Sequence, residues 1–268
     1  MADDGDQFLW AVDLRDVAAK LNGDRESLAW RVQHMKPLTN LILGWTALFL
    51  VVRFVLFPRQ TSRSANRIVS IVHAVVALYY ATLALPDLSA PFDSIGGPNT
   101  DAQMRCLVVS LGYFIYDLFC DLANEGMGAA DNALHHLCTI LGLAYGLASG
   151  TCATELVECL WLMETSNPSL HMRSILLDNG TRAPPAEGEE KGKLTPALPG
   201  FFEINQQVFG ILFLVCRLVI GPVVVFKTVT SPTSHPIVKL MGIGIQVVSL
   251  MWFGKILSML GGSKKKKA

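Results

Sequence analysis

Two adjacent histidines, His135 and His136, lie inside the apolar run Asn132-Ala-Leu-His-His-Leu-Cys-Thr-Ile-Leu-Gly-Leu-Ala-Tyr-Gly-Leu-Ala-Ser149. Ionisable groups are costly in hydrocarbon, about 2.5–3.5 kcal/mol for Asp, Lys or Arg on insertion scales, so a chain that carries them there usually turns them away from lipid. An imidazole titrates near neutrality and can act as a general base, or as a nucleophile through an acyl-imidazole. A carboxylate beside it would fix its tautomer and stabilise the imidazolium. Asp117 and Asp121, four residues apart on one helix face, are placed for that work, with Asp117 the candidate orienter. Neighbouring helical residues point about 100° apart. The two histidines are therefore not expected to share one role.

Other chemistries lack their residues. The chain has six histidines and six cysteines, with no CxxC pair and no repeated histidine clusters, so no metal site is expected. A Gly-x-Ser-x-Gly elbow and a phosphate-cradling Gly-x-x-x-x-Gly-Lys loop are both missing. Cys106, Cys120, Cys138 and Cys159 fall in or near apolar segments and read as buried thiols.

Composition says what must position these groups. Of 268 residues, 51% are hydrophobic and 16% charged; a soluble domain of this length carries about 25% charge. The apolar residues come in long blocks, so the chain reads as an all-α, polytopic membrane bundle. Its net charge is zero, which argues against nucleic acid as a partner. Seven spans are predicted, at 38–57, 68–86, 104–122, 132–150, 152–177, 201–226 and 237–260. The fifth carries Glu155, Glu158, Glu164 and the break Ser166-Asn167-Pro168, and reads as kinked or discontinuous.

The domain organisation follows. Residues 1–37 form a polar segment that opens on Asp3, Asp4 and Asp6 and does not read as a signal peptide. Leu14, Val17, Ala18 and Leu21 fall at helical spacing, which fits either a helix lying on the membrane or an ordinary surface helix. Residues 38–260 form the membrane domain. The stretch 178–200, rich in Pro, Gly and charge, reads as a disordered loop, and 261–268 is a basic tail.

Arg59, Arg63 and Arg67 in the first loop, the loop at 178–200 and Lys264–Lys267 share one side in a seven-span arrangement. This predicts a lumenal N-terminus, a cytosolic C-terminus and an unused sequon at Asn179-Gly-Thr. Lys265 and Lys266 resemble the dilysine retrieval signal of endoplasmic-reticulum membrane proteins, which coat proteins read in the cytosol; a basic tail drawn to anionic headgroups is the alternative.

This orientation brings the buried polar groups to one depth. His73 lies about 8 Å inside the second span at 1.5 Å per residue. Asp117 and Asp121 end the third, Asp131, His135 and His136 begin the fourth, and Glu164 and Asn167 descend in the fifth toward Arg173. Arg67 stands at the mouth. Together they predict a polar cavity in the cytosolic half. Arg217 is expected to meet a lipid phosphate or to pair with Glu155 or Glu158, and Arg53 and Lys255 to snorkel.

Four separated runs, Asn66-Arg-Ile-Val-Ser-Ile-Val-His73, Gly112-Tyr-Phe-Ile-Tyr-Asp117, Asp131-Asn-Ala-Leu-His-His136 and Glu164-Thr-Ser-Asn-Pro-Ser-Leu-His-Met-Arg173, resemble the TLC-domain family, which includes the ceramide synthases. The chain looks closer to the transmembrane-protein-56-like members than to the synthases. The resemblance implies a lipid-handling protein of the endoplasmic reticulum with no cofactor. Acyl-CoA would be a co-substrate, and membrane lipids such as a sphingoid base would be partners. In the synthases the histidine pair belongs to the acyl-transfer site. The synthases also carry a His-Asp element, and this chain has Glu164-Thr-Ser-Asn-Pro in its place. The implied readings are acyl transfer, with His135, His136 and Asp117 catalytic and His73, Arg67, Asp121, Asp131, Glu164, Asn167 and Arg173 binding substrate; non-catalytic lipid binding that regulates membrane composition; or a trafficking receptor.

Overall fold

A computed structural model describes residues 27–85, 91–125, 130–183 and 194–265. The helical face proposed for residues 14–21 and the last lysines of the tail lie outside the described residues. The chain is built of helices: α1 (Leu38–Val51), α2 (Ser62–Ala84), α3 (Asp101–Glu125), α4 (Ala130–Ser149), α5 (Ala153–Asp178), α6 (Pro199–Phe213), α7 (Gly221–Thr230) and α8 (Pro236–Lys265). Residues 27–35 are also helical and lead into α1 through a turn at Lys36 and Pro37. Trp30 donates to Asp101, and Arg31 donates to the carbonyls of Ala148 and Ser149, fastening this segment to the ends of α3 and α4.

Among the described residues, five helical runs are long and apolar enough to cross a membrane: Ser27–Leu56, Ser62–Ala84, Asp101–Asn124, Pro199–Thr230 and Pro236–Ser258. The remaining two predicted spans correspond to α4 and α5, which hold the histidine pair and the buried acids. Outward-facing Val55, Val75, Leu83, Phe119, Ile211, Phe226 and Leu240 are exposed, as they must be where the surrounding solvent is lipid.

Helix contacts close a ring. α2 packs on α3, α3 on α4, α4 on α8, α8 on α7, and α5 bridges from α6 back to α2, while α1 packs outside on α3. Ala65, Ala74, Ala77, Ala81 and Ala84 are buried on α2, and small side chains let helix backbones approach closely without a hydrophobic driving force. Thr61 caps α2 by accepting from the Ser64 amide at 3.1 Å.

Three departures from the sequence reading have physical causes. The fifth span is one continuous helix despite Pro168. Proline disturbs the preceding turn, and there the Met163 carbonyl receives Arg217 at 3.0 Å and Ser166 at 3.3 Å. The sixth span is not uniform, because Leu214–Ile220 is a π-helical stretch just before Pro222. The Arg217 carbonyl there accepts from Gln246 at 3.2 Å. Finally, the loop at 178–200 has ordered ends: β1 (Thr181–Arg182) pairs antiparallel with β2 (Leu194–Thr195).

A histidine–carboxylate chamber and the family of the chain

The candidate site is a polar chamber of about 180 Å³ inside the ring, near the end that carries the turn at 58–61. α3 supplies Asp117 and Asp121 from successive turns of one face, and α4 supplies His135 and His136 from its second turn. His136 Nε2 lies 3.2 Å from Asp121 Oδ2 and 3.8 Å from Asp117 Oδ2. Asn132 Nδ2 donates to the same Asp121 oxygen at 2.6 Å. Asn66 Nδ2 donates to Asp117 Oδ1 at 2.8 Å and its own Oδ1 accepts from the Tyr116 hydroxyl at 2.6 Å. The carboxylates are thereby fixed from α2, α3 and α4 at once. With Nε2–H given to Asp121, the acceptor nitrogen of His136 is Nδ1, which has no hydrogen-bond partner.

His135 differs from its neighbour. It meets Phe114 edge-on at 5.9 Å and Trp252 at 5.4 Å between ring centroids. Among the described residues no carboxylate lies within ion-pair distance of it. His135 and Phe114 line the chamber and also a narrower apolar cavity of about 60 Å³ bounded by Gly142, Leu156, Leu160 and Met241. Within ion-pair distance, an imidazolium would be met by two carboxylates at His136 and, among the described residues, by none at His135.

Of the other sequence-predicted site residues, Arg67, Glu164 and Asn167 line the chamber. Asn167 Nδ2 donates to Glu164 Oε2 at 2.9 Å. Three do not line it. His73 is fully buried behind the wall, stacked on Tyr113 at 3.6 Å with Glu164 Oε2 3.9 Å away. Asp131 sits behind Trp252, accepting from its Nε1 at 2.6 Å and from Lys255 Nζ at 2.7 Å; Lys255 is thus tied to a helix neighbour, not simply snorkelling. Arg173 faces a separate groove.

Arg217, buried at 2% exposure, pairs with neither Glu155 nor Glu158. It donates to Asn167 Oδ1 at 2.8 Å, to Ser166 Oγ at 3.2 Å and to the Met163 carbonyl, and lies over the Trp252 ring at 5.3 Å. Glu155 instead accepts from the Gly96 amide and the Ser234 hydroxyl. Arg217, Trp252, Tyr113, Asn66 and His171 all line the chamber beyond those predicted to bind or react. Arg217 had a signal, a lone charge in the most apolar span, and so did His171, one helical turn after Asn167 in the quoted run; Trp252 had none.

Ligand atoms of Asp117, Asp121 and His136 lie within 4.8 Å of one another. One oxygen of each carboxylate already accepts, Asp117 Oδ1 from Asn66 and Asp121 Oδ2 from Asn132 and His136. A ligating histidine usually anchors its second nitrogen to an acceptor, and Nδ1 here is unanchored. The donor set is organised as a hydrogen-bond network around an imidazole.

No solved structure matches the chain. The family model described as the TLC domain matches residues 63–258, which take in six of the seven long helical runs among the described residues and every residue of the chamber. The chain is a multi-pass membrane protein and belongs to the TLC-domain family.

Proposed function

We propose that the protein is an acyltransferase of the endoplasmic-reticulum membrane, with its C-terminus in the cytosol, moving a fatty acyl group from acyl-CoA to the amine or hydroxyl of a membrane lipid. The observation that carries this reading is the His136–Asp121 contact at 3.2 Å in the wall of a polar chamber. In the step, His136 takes the proton of the acceptor's N–H or O–H as that atom attacks the thioester carbonyl. The C–S bond breaks, and the departing thiolate takes the proton back from the imidazolium. The products are the amide or ester and free CoA. Asp121 and Asp117 stabilise the imidazolium while it exists. His135, at the junction with the apolar cavity, marks where a carbonyl passes from polar to apolar surroundings.

The test uses protein purified into lipid nanodiscs, a labelled long-chain acyl-CoA and a membrane-lipid extract as acceptor. Transfer to a lipid product is the expected result, with His136→Gln at least about 100-fold slower at wild-type thermal stability. Equal product with wild type and variant would end the reading.

A second reading, lipid binding without chemistry, is favoured by one sequence fact: the chain has no His-Asp dipeptide. On that reading no product forms, yet membrane-lipid composition shifts when the protein is absent. The dilysine-like tail would serve either reading by coat-protein retrieval, and Lys265→Ala/Lys266→Ala should release the protein from the endoplasmic reticulum.

A further inference from the structure

A second space lies beside the chamber, between α6 and α8 and against α5. It has a volume of about 380 Å³ and is mostly apolar. Its lining is ordered along the helix axes. Arg173 and Gln206 lie toward the end of α5 and the start of α6, and Lys255 lies level with them on α8. Deeper in come Leu170, Phe209, Gly210, Phe213 and Trp252. One end is cationic and the remainder apolar, the polarity of a membrane lipid standing in its leaflet. The flanking faces of α6 and α8 expose Ile204, Val208, Ile211, Leu250 and Leu257, so the space opens sideways onto the bilayer.

The cations are available to a headgroup. Among the described residues no carboxylate lies within ion-pair distance of Arg173, whose Nε reaches Gln206 Oε1 at 3.4 Å. Lys255 is paired with Asp131 at 2.7 Å but its side chain remains 58% exposed. Space for a chain exists beside Gly210, where an added Cβ would meet nothing within 4 Å. Leu170 and Trp252 line both this groove and the polar chamber, so they form the wall between the two. Trp252 is held in that wall by Asp131, the same carboxylate oxygen that engages Lys255.

We propose that the α6–α8 groove binds a phospholipid of the bilayer, its phosphate against Arg173 and Lys255 and one acyl chain against Phe209, Gly210, Phe213 and Trp252. Trp252, held by the Asp131 oxygen that also engages Lys255, would stand between the bound lipid and the chamber. The site stands apart from the transfer chemistry, and its test reads occupancy, not turnover.

The full chain is reconstituted in phosphatidylcholine nanodiscs doped with phosphatidate carrying a photoactivatable diazirine in one chain. The control is diacylglycerol with the same chain and no phosphate. Phosphatidate should label the peptides containing Phe209–Phe213 and Trp252, and diacylglycerol should label them far less. Arg173→Gln and Lys255→Gln should each reduce phosphatidate labelling about fivefold, the scale of one cation–anionic lipid contact. Gly210→Trp fills the groove and should abolish labelling; Gly210→Leu replaces it if the larger ring lowers thermal stability. Equal labelling by phosphatidate and diacylglycerol overturns the phosphate site, and undiminished labelling of both Gly210 variants overturns the groove.

Discussion

Arg217 Nη2 lies 2.8 Å from Asn167 Oδ1 and ties the π-helical stretch before Pro222 to the turn of α5 before Pro168. The same nitrogen also donates to the Met163 carbonyl on α5, while the backbone carbonyl of Arg217 accepts from Gln246 on α8. Interhelical hydrogen bonds in membranes are worth about 0.6–1.7 kcal/mol each. With three donors engaged, Arg217→Ala should cost about 2–4 kcal/mol. Arg217→Lys should recover only part of this, because an ammonium cannot fork between Ser166, Met163 and Asn167. Thermal unfolding in detergent of the three proteins checks the order; equal midpoints would make the contacts incidental.

The two carboxylates near His136 should separate in function. Asp121 is the closer, at 3.2 Å against 3.8 Å for Asp117, and shares its oxygen with Asn132. Asp121→Asn keeps size and hydrogen bonding but removes the charge that stabilises the imidazolium. It should lower kcat for acyl transfer by about 100-fold with little change in KM for acyl-CoA. Asp117→Asn should cost less, since its nearer role is to hold Asn66. A larger effect at Asp117 would reverse the assignment and restore it as the orienting acid.

Height along the bundle was legible in the sequence, and direction around each helix was not. His135 and His136 interrupt an apolar run, and Asp117 and Asp121 share a face by their spacing, so all four could be set at one depth. Asp131 and Arg173 lie near that depth too, yet Asp131 stands behind Trp252 and Arg173 opens on the groove. Depth comes from counting residues within a span; azimuth depends on which helices are neighbours, which one sequence does not state. Arg217 was legible as a buried charge, but its partners are a carbonyl, an amide and a hydroxyl in the turn before Pro168, where sequence patterns point to an acid. The π-helical stretch had only Pro222 to announce it.

Close approach of α4 and α8 rests on a missing side chain. A Cβ at Gly244 would come within 2.4 Å of Cys138 Sγ, an atom buried in the contact between the two helices. Gly244→Ala should therefore destabilise by about 1–3 kcal/mol. Cys138→Ala removes the obstructing sulfur, so the double variant should regain most of the loss. Additive losses in a double-mutant cycle would show that the clash is absorbed elsewhere.

The sequon at Asn179 is expected to stay unglycosylated, and packing gives a reason beyond orientation. Its side chain and that of Gln60 exchange amide hydrogen bonds at 2.8 and 3.2 Å, joining the turn before α2 to the end of α5, and its Nδ2 also reaches the Ile175 carbonyl at 2.9 Å. A glycan on Nδ2 would break that pairing at the same end of the bundle as the chamber mouth. Wild type and Asn179→Gln expressed in glycosylation-competent cells should migrate alike before and after glycosidase. The two should differ in stability only slightly, because a glutamine can still donate toward Gln60 at an exposed site. A glycosidase-sensitive shift that vanishes in Asn179→Gln would put this end of the bundle in the lumen, and with it the chamber mouth, which would remove cytosolic acyl-CoA as the donor.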